Sequence, residues 1–244
     1  MKLGDIVRVG THVIGRGDAR DADFVNRVIG SRKIKMVCCD VPYAIDMVAA
    51  KAGFSKIRVP KNILNDGFAS DEDYAKFTKQ WLLAVIPHLE RKNGIYIFNS
   101  DKMIVPLIGG MRDAGLYFSQ ILLWLKNNAV VGRKDYLPQF EIIAYGWSGI
   151  HEFKKAQDKN ILLCPKPSRS EYHPSQKPIP LIRRLILNAT SIGDVVYDGF
   201  MGSGTACVAA ESVKRSSVGI ELDEEYCVTA IRRLAALGLP VQKL

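Results

Sequence analysis

Apolar runs of strand length alternate with segments of helical period along almost the whole chain. His12-Val13-Ile14-Gly15 reads as a short strand ending at Gly17-Asp18, and Met36-Val37-Cys38-Cys39 as a buried one. From residue 44 to 65 the pattern weakens and Lys51, Lys56, Arg58 and Lys61 intrude, which predicts a loop or lid. Residues 71–89 predict a helix. Ser70 can cap it, Asp71, Glu72 and Asp73 suit its positive end, and Tyr74, Phe77, Trp81, Leu82 and Val85 share one face. That aromatic stripe is the pattern of a core face rather than of a cofactor box. Gly94 leads into a strand at 95–98, residues 103–114 are helical up to the stop at Gly115, and 118–125 and 141–145 read as two further strands. Between 147 and 172 periodicity fails. Pro178 and Pro180 then open a helix with Ile182, Leu185, Ile186 and Ala189 inside. A strand, a loop, a helix, a strand and a helix complete the order to about residue 237. This alternation predicts an α/β fold: a parallel-rich sheet covered by helices, as one domain over residues 1–244 without internal repeats.

A chain of 244 residues can bury a full core. It holds no apolar stretch long enough to span a bilayer and no secretory leader, so no membrane and a cytoplasmic location are expected. The net charge of +9, from 34 Lys and Arg against 25 Asp and Glu, favours a polyanionic partner over a merely basic surface. The five cysteines lack metal-site spacing. Cys38, Cys39 and Cys207 read as reduced core residues, and no metal is expected.

Two strand-end motifs carry the candidate chemistry. The late one, Asp198-Gly199-Phe200-Met201-Gly202-Ser203-Gly204-Thr205, follows the apolar run Val195-Val196-Tyr197 and opens a helix. Gly202 and Gly204 let the backbone turn sharply beside a ligand, and the helix start offers N–H groups to an anion. The next strand ends in Glu221, where an acidic residue can hold a ribose diol. A dinucleotide is the rival ligand, but Gly202-Ser203-Gly204-Thr205-Ala206-Cys207 does not complete the glycine fingerprint. The early motif, Asp40-Val41-Pro42-Tyr43, follows Met36–Cys39. An exocyclic amine is a poor nucleophile because its lone pair is delocalised into the ring. Acceptors for both amine protons, here the Asp40 carboxylate and the Val41 carbonyl, would draw it towards tetrahedral geometry. Pro42 stiffens the turn, and Tyr43 offers a face for an extruded base. By itself the motif reads equally well as a strand ending in a proline turn.

The late motif resembles the S-adenosylmethionine loop of the DNA amino-methyltransferases, and the early motif resembles their Asp-Pro-Pro-Tyr loop. Val41 stands for the first proline, and Gly199 for a proline in the cofactor loop. The order of the motifs, base clamp first and cofactor loop last, resembles the circularly permuted β group. The Gly4 to Gly10 segment resembles its compact, often phage-borne branch. The resemblance implies a doubly wound, Rossmann-like mixed sheet with helices on both faces. It implies S-adenosylmethionine as cofactor, with Asp198, Phe200, Gly202, Ser203, Gly204 and Thr205 on its methionine and ribose side. It places Glu221 on the ribose hydroxyls, Asp18 near the adenine, and Ser175, Gln176 and Lys177 near the methionine carboxylate, with Asp40 between cofactor and base. His173, in the same block as Ser175, is expected to be a structural or surface histidine rather than a catalytic base.

By the same resemblance the partner is double-stranded DNA and the reaction is methyl transfer to a flipped base. Asp40, where a serine would favour cytosine, favours N6 of adenine over N4 of cytosine. Target recognition is expected in the short insert at about 127–172, which predicts a short site or help from a second subunit, as in a homodimer. Lys126, Arg133, Lys134, Lys154 and Lys155 are the candidate DNA contacts. The rival readings are a non-catalytic binding subunit, motivated by Val41 and Gly199, and a nucleotide-dependent oxidoreductase.

Overall fold

The computed structural model describes residues 1–42, 68, 70–129, 135–155, 157–166 and 176–244. The expected lid at 44–65 and Tyr43, Arg133, Lys134, His173 and Ser175 lie outside them. The elements are β1 (Ile6–Val9), β2 (His12–Arg16), α1 (Ala22–Ile29), β3 (Ile34–Asp40), α2 (Asp71–Val85), β4 (Leu89–Asn99), α3 (Ile104–Asp113) and β5 (Tyr117–Leu125). They continue as β6 (Phe140–Trp147), β7 (Ile150–His151), β8 (Ile161–Leu163), α4 (Ile179–Ala189), β9 (Val195–Asp198), α5 (Thr205–Glu211), β10 (Ser216–Glu221), α6 (Glu224–Ala235) and β11 (Val241–Lys243).

The strands form one sheet in the order β11-β1-β2-β10-β9-β3-β4-β6-β5-β8, with β7 beside β4. From β2 through β10, β9 and β3 to β4 all neighbours are parallel. The hairpins β1–β2 and β5–β6 make the sheet mixed. One core packs α1, α2 and α3 on one face, with Val37, Ile95 and Tyr197 inside; the other packs α4 and α5 on the opposite face, with Met36, Phe98 and Val196 inside. The central strands are buried on both faces, which is why they read as unbroken apolar runs.

Several boundaries differ from the sequence expectation. The helix beginning at Asp71 ends at Val85 rather than 89, because Pro87 turns the chain through the short helix Ile86–His88. The following strand starts at Leu89, well before Gly94, since its first residues are half-buried or exposed and carry no apolar signal. Helix α1 was not anticipated, although Asp21 caps it and Phe24, Val25, Val28 and Ile29 are buried on one side. The expected recognition insert contributes β6, β7 and β8, so much of it extends the sheet. No helix among the described residues is long and apolar enough to cross a membrane.

The turn leaving β9 is shaped around a glycine. The Gly199 N–H donates to the Cys39 sulfur at 3.3 Å. A Cβ there would come 3.0 Å from the Tyr197 hydroxyl and 3.2 Å from the Ala19 Cβ. Tyr197 is fully buried, so its ring cannot retreat. A proline at this position, as in the loop the motif resembles, therefore removes a hydrogen bond and overpacks the turn. Gly199→Pro is expected to destabilise the protein by about 2 kcal/mol in urea unfolding, with partial recovery in the Tyr197→Phe background.

Candidate active site

Strands β3 and β9 are neighbours, with Met36 opposite Val196 and Val37 opposite Tyr197. The chain leaves β3 through α2 to β4 on one side, and β9 through α5 to β10 on the other. The two helices cover opposite faces, so among the described residues the chain direction reverses beyond the carboxyl ends of β3 and β9. Crevices at such reversals are where open α/β sheets bind ligands. Asp40 and Asp198, from motifs far apart in sequence, end the two strands that flank it.

Asp40 is held by a lysine. The Lys177 ammonium, 4% exposed, donates to Asp40 Oδ2 at 2.6 Å and lies 3.1 Å from Glu141 Oε2. The other Glu141 oxygen pairs with Lys126 Nζ at 2.8 Å. The two lysines also lie over aromatic rings, Lys177 over Phe98 at 5.5 Å and Lys126 over Trp124 at 5.2 Å. Burial works against the charges of Glu141 and Lys177, but pairing prevails. Burial raises the Glu141 carboxyl, and Lys177 and Lys126 bring it down to about 2. Burial lowers Lys177, and Asp40 and Glu141 raise it above its ordinary value. Val41 is buried, and the Pro42 carbonyl accepts from the Tyr74 hydroxyl at 2.7 Å. That hydroxyl accepts from Asn99 Nδ2 at 2.8 Å, and Asn99 Oδ1 accepts the Ser100 N–H.

The late loop is fixed by backbone bonds and by α2. Gly202 and Gly204 both adopt positive φ, and a Cβ at Gly204 would lie 2.7 Å from that of Ala230. The Gly202 N–H donates to Glu221 Oε2 and the Asp223 N–H to Oε1, both at 2.8 Å. Phe200 packs on Phe77 and Trp81, with centroids 5.7 and 5.5 Å apart. Asp198 accepts the Phe200 N–H at 3.1 Å. Its burial, with Asp40 and Glu221 adding repulsion, raises its carboxyl to about 8. Burial likewise raises Glu221.

Some expected side chains are engaged elsewhere. The Lys177 ammonium sits on Asp40 and Glu141 rather than open to a cofactor carboxylate, with Gln176 just before it. Ser203 is buried, and its hydroxyl and that of Thr205 accept from Arg233 of α6 at 3.1 and 3.4 Å. Asp18 is gripped by the Arg20 guanidinium. Burial raises its carboxyl, but Arg20 leaves it below the usual range.

Two of the expected DNA contacts need correction. Lys126 is buried against Trp124 and committed to Glu141, so it offers no surface charge to a phosphate. Lys154, with Lys155 beside it, lies at the other end of the sheet. It pairs with Glu152, which also pairs with Lys35 near the start of β3, and its N–H donates to the last turn of α4. That end carries the amino ends of the parallel strands, a strand length away from Asp40.

Glu141, Tyr74, Asn99 and Arg233 join the expected residues only in the folded chain. Glu141 had a legible signal: a lone carboxylate opening an apolar strand, next to a lysine closing the strand before it. Tyr74 is a core residue, as its place in the aromatic stripe predicts, and its hydroxyl also reaches the early motif.

Comparison with known proteins agrees with this architecture. A family model described as DNA methylase matches residues 144–232, which include β9, the late loop and Glu221. The Type II methyltransferase M.HpaI of Haemophilus parainfluenzae is 26% identical over 207 residues, 72% of this chain. The match spans 65% of that relative, just under two thirds of its length. The crystal structure of an M1.HpyAVI–SAM complex superposes with a TM-score of 0.68 at 24% identity, over 91% of this chain and 98% of that one. The PvuII DNA methyltransferase, described as cytosine-N4-specific, also gives 0.68, at 14% identity over 93% and 91%. The chain thus has a Rossmann-like α/β fold like that of these methyltransferase structures, with the DNA methylase sequence pattern over residues 144–232.

Proposed function

We propose that the protein is an S-adenosylmethionine-dependent DNA methyltransferase acting on an exocyclic amine, with N6 of adenine in duplex DNA as its target. The crevice carries this reading. Asp198 and Glu221 end two adjacent parallel strands, and neither has a cationic partner among the described residues. Unpaired buried carboxylates suit a cationic ligand, and S-adenosylmethionine brings a sulfonium and an ammonium. The glycine turn at 202–204 leaves backbone room beside them.

When bound, the cofactor supplies an electrophilic methyl group. The rest of the work belongs to the chain. Asp198, Phe200, Gly202 and Gly204 line the methionine and ribose side. Glu221, anchored by two backbone N–H groups, keeps lone pairs for the ribose hydroxyls. Asp40 and the Val41 carbonyl accept the two amine protons of a flipped base, with Tyr43 as its stacking surface. That orientation would turn the nitrogen lone pair towards the methyl group the cofactor would supply. N4 of cytosine is the second reading. Cytosine presents the same amine beside a ring nitrogen, and the PvuII cytosine-N4 enzyme shares the fold.

The test is incubation with labelled S-adenosylmethionine and mixed-sequence DNA, followed by digestion to nucleosides. N6-methyladenine is expected, and its loss in Asp40→Ala. N4-methylcytosine would move the assignment to the second reading. Cofactor binding with no methylated nucleoside would overturn both.

Asp198 gives a second expectation. With its carboxyl raised to about 8, it is largely protonated in the free protein at pH 7. A cationic ligand favours the ionised form, so binding at pH 7 releases a proton and affinity rises with pH up to about 8. Calorimetry in Tris and in phosphate should give different binding enthalpies at pH 7, and the difference should vanish in Asp198→Asn.

A further inference from the structure

The geometry points to Glu141 as a positioning residue of the reaction, acting through Lys177 to fix the carboxylate of Asp40. This rests on the reading of Asp40 as the acceptor for the target amine.

A lone carboxylate at a strand end can rotate, and either oxygen can meet the amine. Lys177 removes that freedom by binding Oδ2 at 2.6 Å. A lysine side chain is itself long and has many rotamers, so it needs an anchor to hold anything else still. Glu141 is that anchor. It sits at the head of β6, paired across the hairpin with Trp124, and its Oε2 lies 3.1 Å from the ammonium. Lys126 holds the other Glu141 oxygen from the end of β5. Among the described residues the chain Lys126–Glu141–Lys177–Asp40 alternates in sign, with two cations and two anions. Three of its members come from different parts of the sheet, and only Asp40 is appreciably open to the crevice, with its side chain 28% exposed against 4–19% for the others. A cluster built only for stability has no need to end at an exposed carboxylate on the strand beside β9, which carries the late loop.

The assignment separates two roles for Lys177. As a cofactor ligand it would set cofactor affinity. As the clamp on Asp40 it sets the rate of transfer. The experiment uses the full-length protein and compares wild type with Glu141→Gln, Lys177→Met, the two combined, and Lys126→Met/Glu141→Gln. Cofactor affinity is measured by calorimetry without DNA, and methyl transfer at saturating cofactor on mixed-sequence DNA. Glu141→Gln is expected to slow transfer about 100-fold, as misplacement of a reacting group does. Its cofactor Kd should stay within about threefold of wild type, because in this proposal nothing in the clamp binds the cofactor. The combined variant should be no slower than Lys177→Met alone, since both act through one contact. Lys126→Met/Glu141→Gln removes one cation with the anion and leaves the net charge unchanged. It is therefore the informative variant if Glu141→Gln alone fails to fold, and it should show the same slow transfer.

A Glu141→Gln or Lys126→Met/Glu141→Gln protein that transfers at the wild-type rate overturns the proposal, as does one whose loss lies entirely in cofactor affinity. Wild-type protein that binds the cofactor but methylates nothing overturns the reading of the whole site, and this assignment with it. The two failures are distinguished by the wild-type control.

Discussion

The parallel pairing of β3 with β9 is the contact on which the site depends. It joins the first and last thirds of the chain at the centre of the sheet, and only there do Asp40 and Asp198 become neighbours. The helices that follow the two strands pack on opposite faces, so among the described residues the chain turns away from the strand ends in two directions. Fully buried apolar residues on both strands hold the register: Met36 and Val37 against Val196 and Tyr197. A shift by one residue would send each side chain to the opposite core and carry the two carboxylates apart.

Helix α2 ties the two motifs to that frame. Its Tyr74 hydroxyl fixes the Pro42 carbonyl of the early loop, while Phe77 and Trp81 pack on Phe200 of the late one. One aromatic stripe thus serves both as core and as a common ruler for the two loops. The charge cluster works the same way on the other side of Asp40. Its cost in desolvation is offset only while every member is paired, because removing one partner leaves a buried charge exposed to a low-dielectric interior. A site with this construction resists small rearrangement of its carboxylates.

The strand–helix order, the buried strands at Met36 and Val195 and the two strand-end motifs were legible in sequence because period and turn chemistry are local properties. Ser70 capping α2 and the glycine turn at 202–204 are of this kind. What was not legible depended on which strands lie side by side. Lys126 and Lys177 read as cations facing a ligand, and both are buried against Glu141 because β5, β6 and the segment before α4 converge. Lys154 read as a DNA contact because its stretch lacks periodicity. The pairing of β7 with the start of β4 places it at the far end of the sheet. Strands as short as β7 and β8 are too brief to carry a pattern at all.

The two departures from the family motifs bear on whether the site is built for chemistry or only for binding. Proline stiffens a turn by fixing φ, but packing can do the same. Val41, in place of the first proline, is buried, and the next carbonyl is held by a tyrosine that is itself held by Asn99. Gly199, in place of the other proline, gives its N–H to Cys39 and leaves room that the Tyr197 hydroxyl occupies. At both positions the surrounding contacts hold the turn without a proline ring. A subunit that only bound its ligands would need the shape of the crevice but no fixed orientation for Asp40. The clamp from Lys177 and Glu141 supplies that orientation, and it is the feature that argues most directly for transfer rather than binding alone.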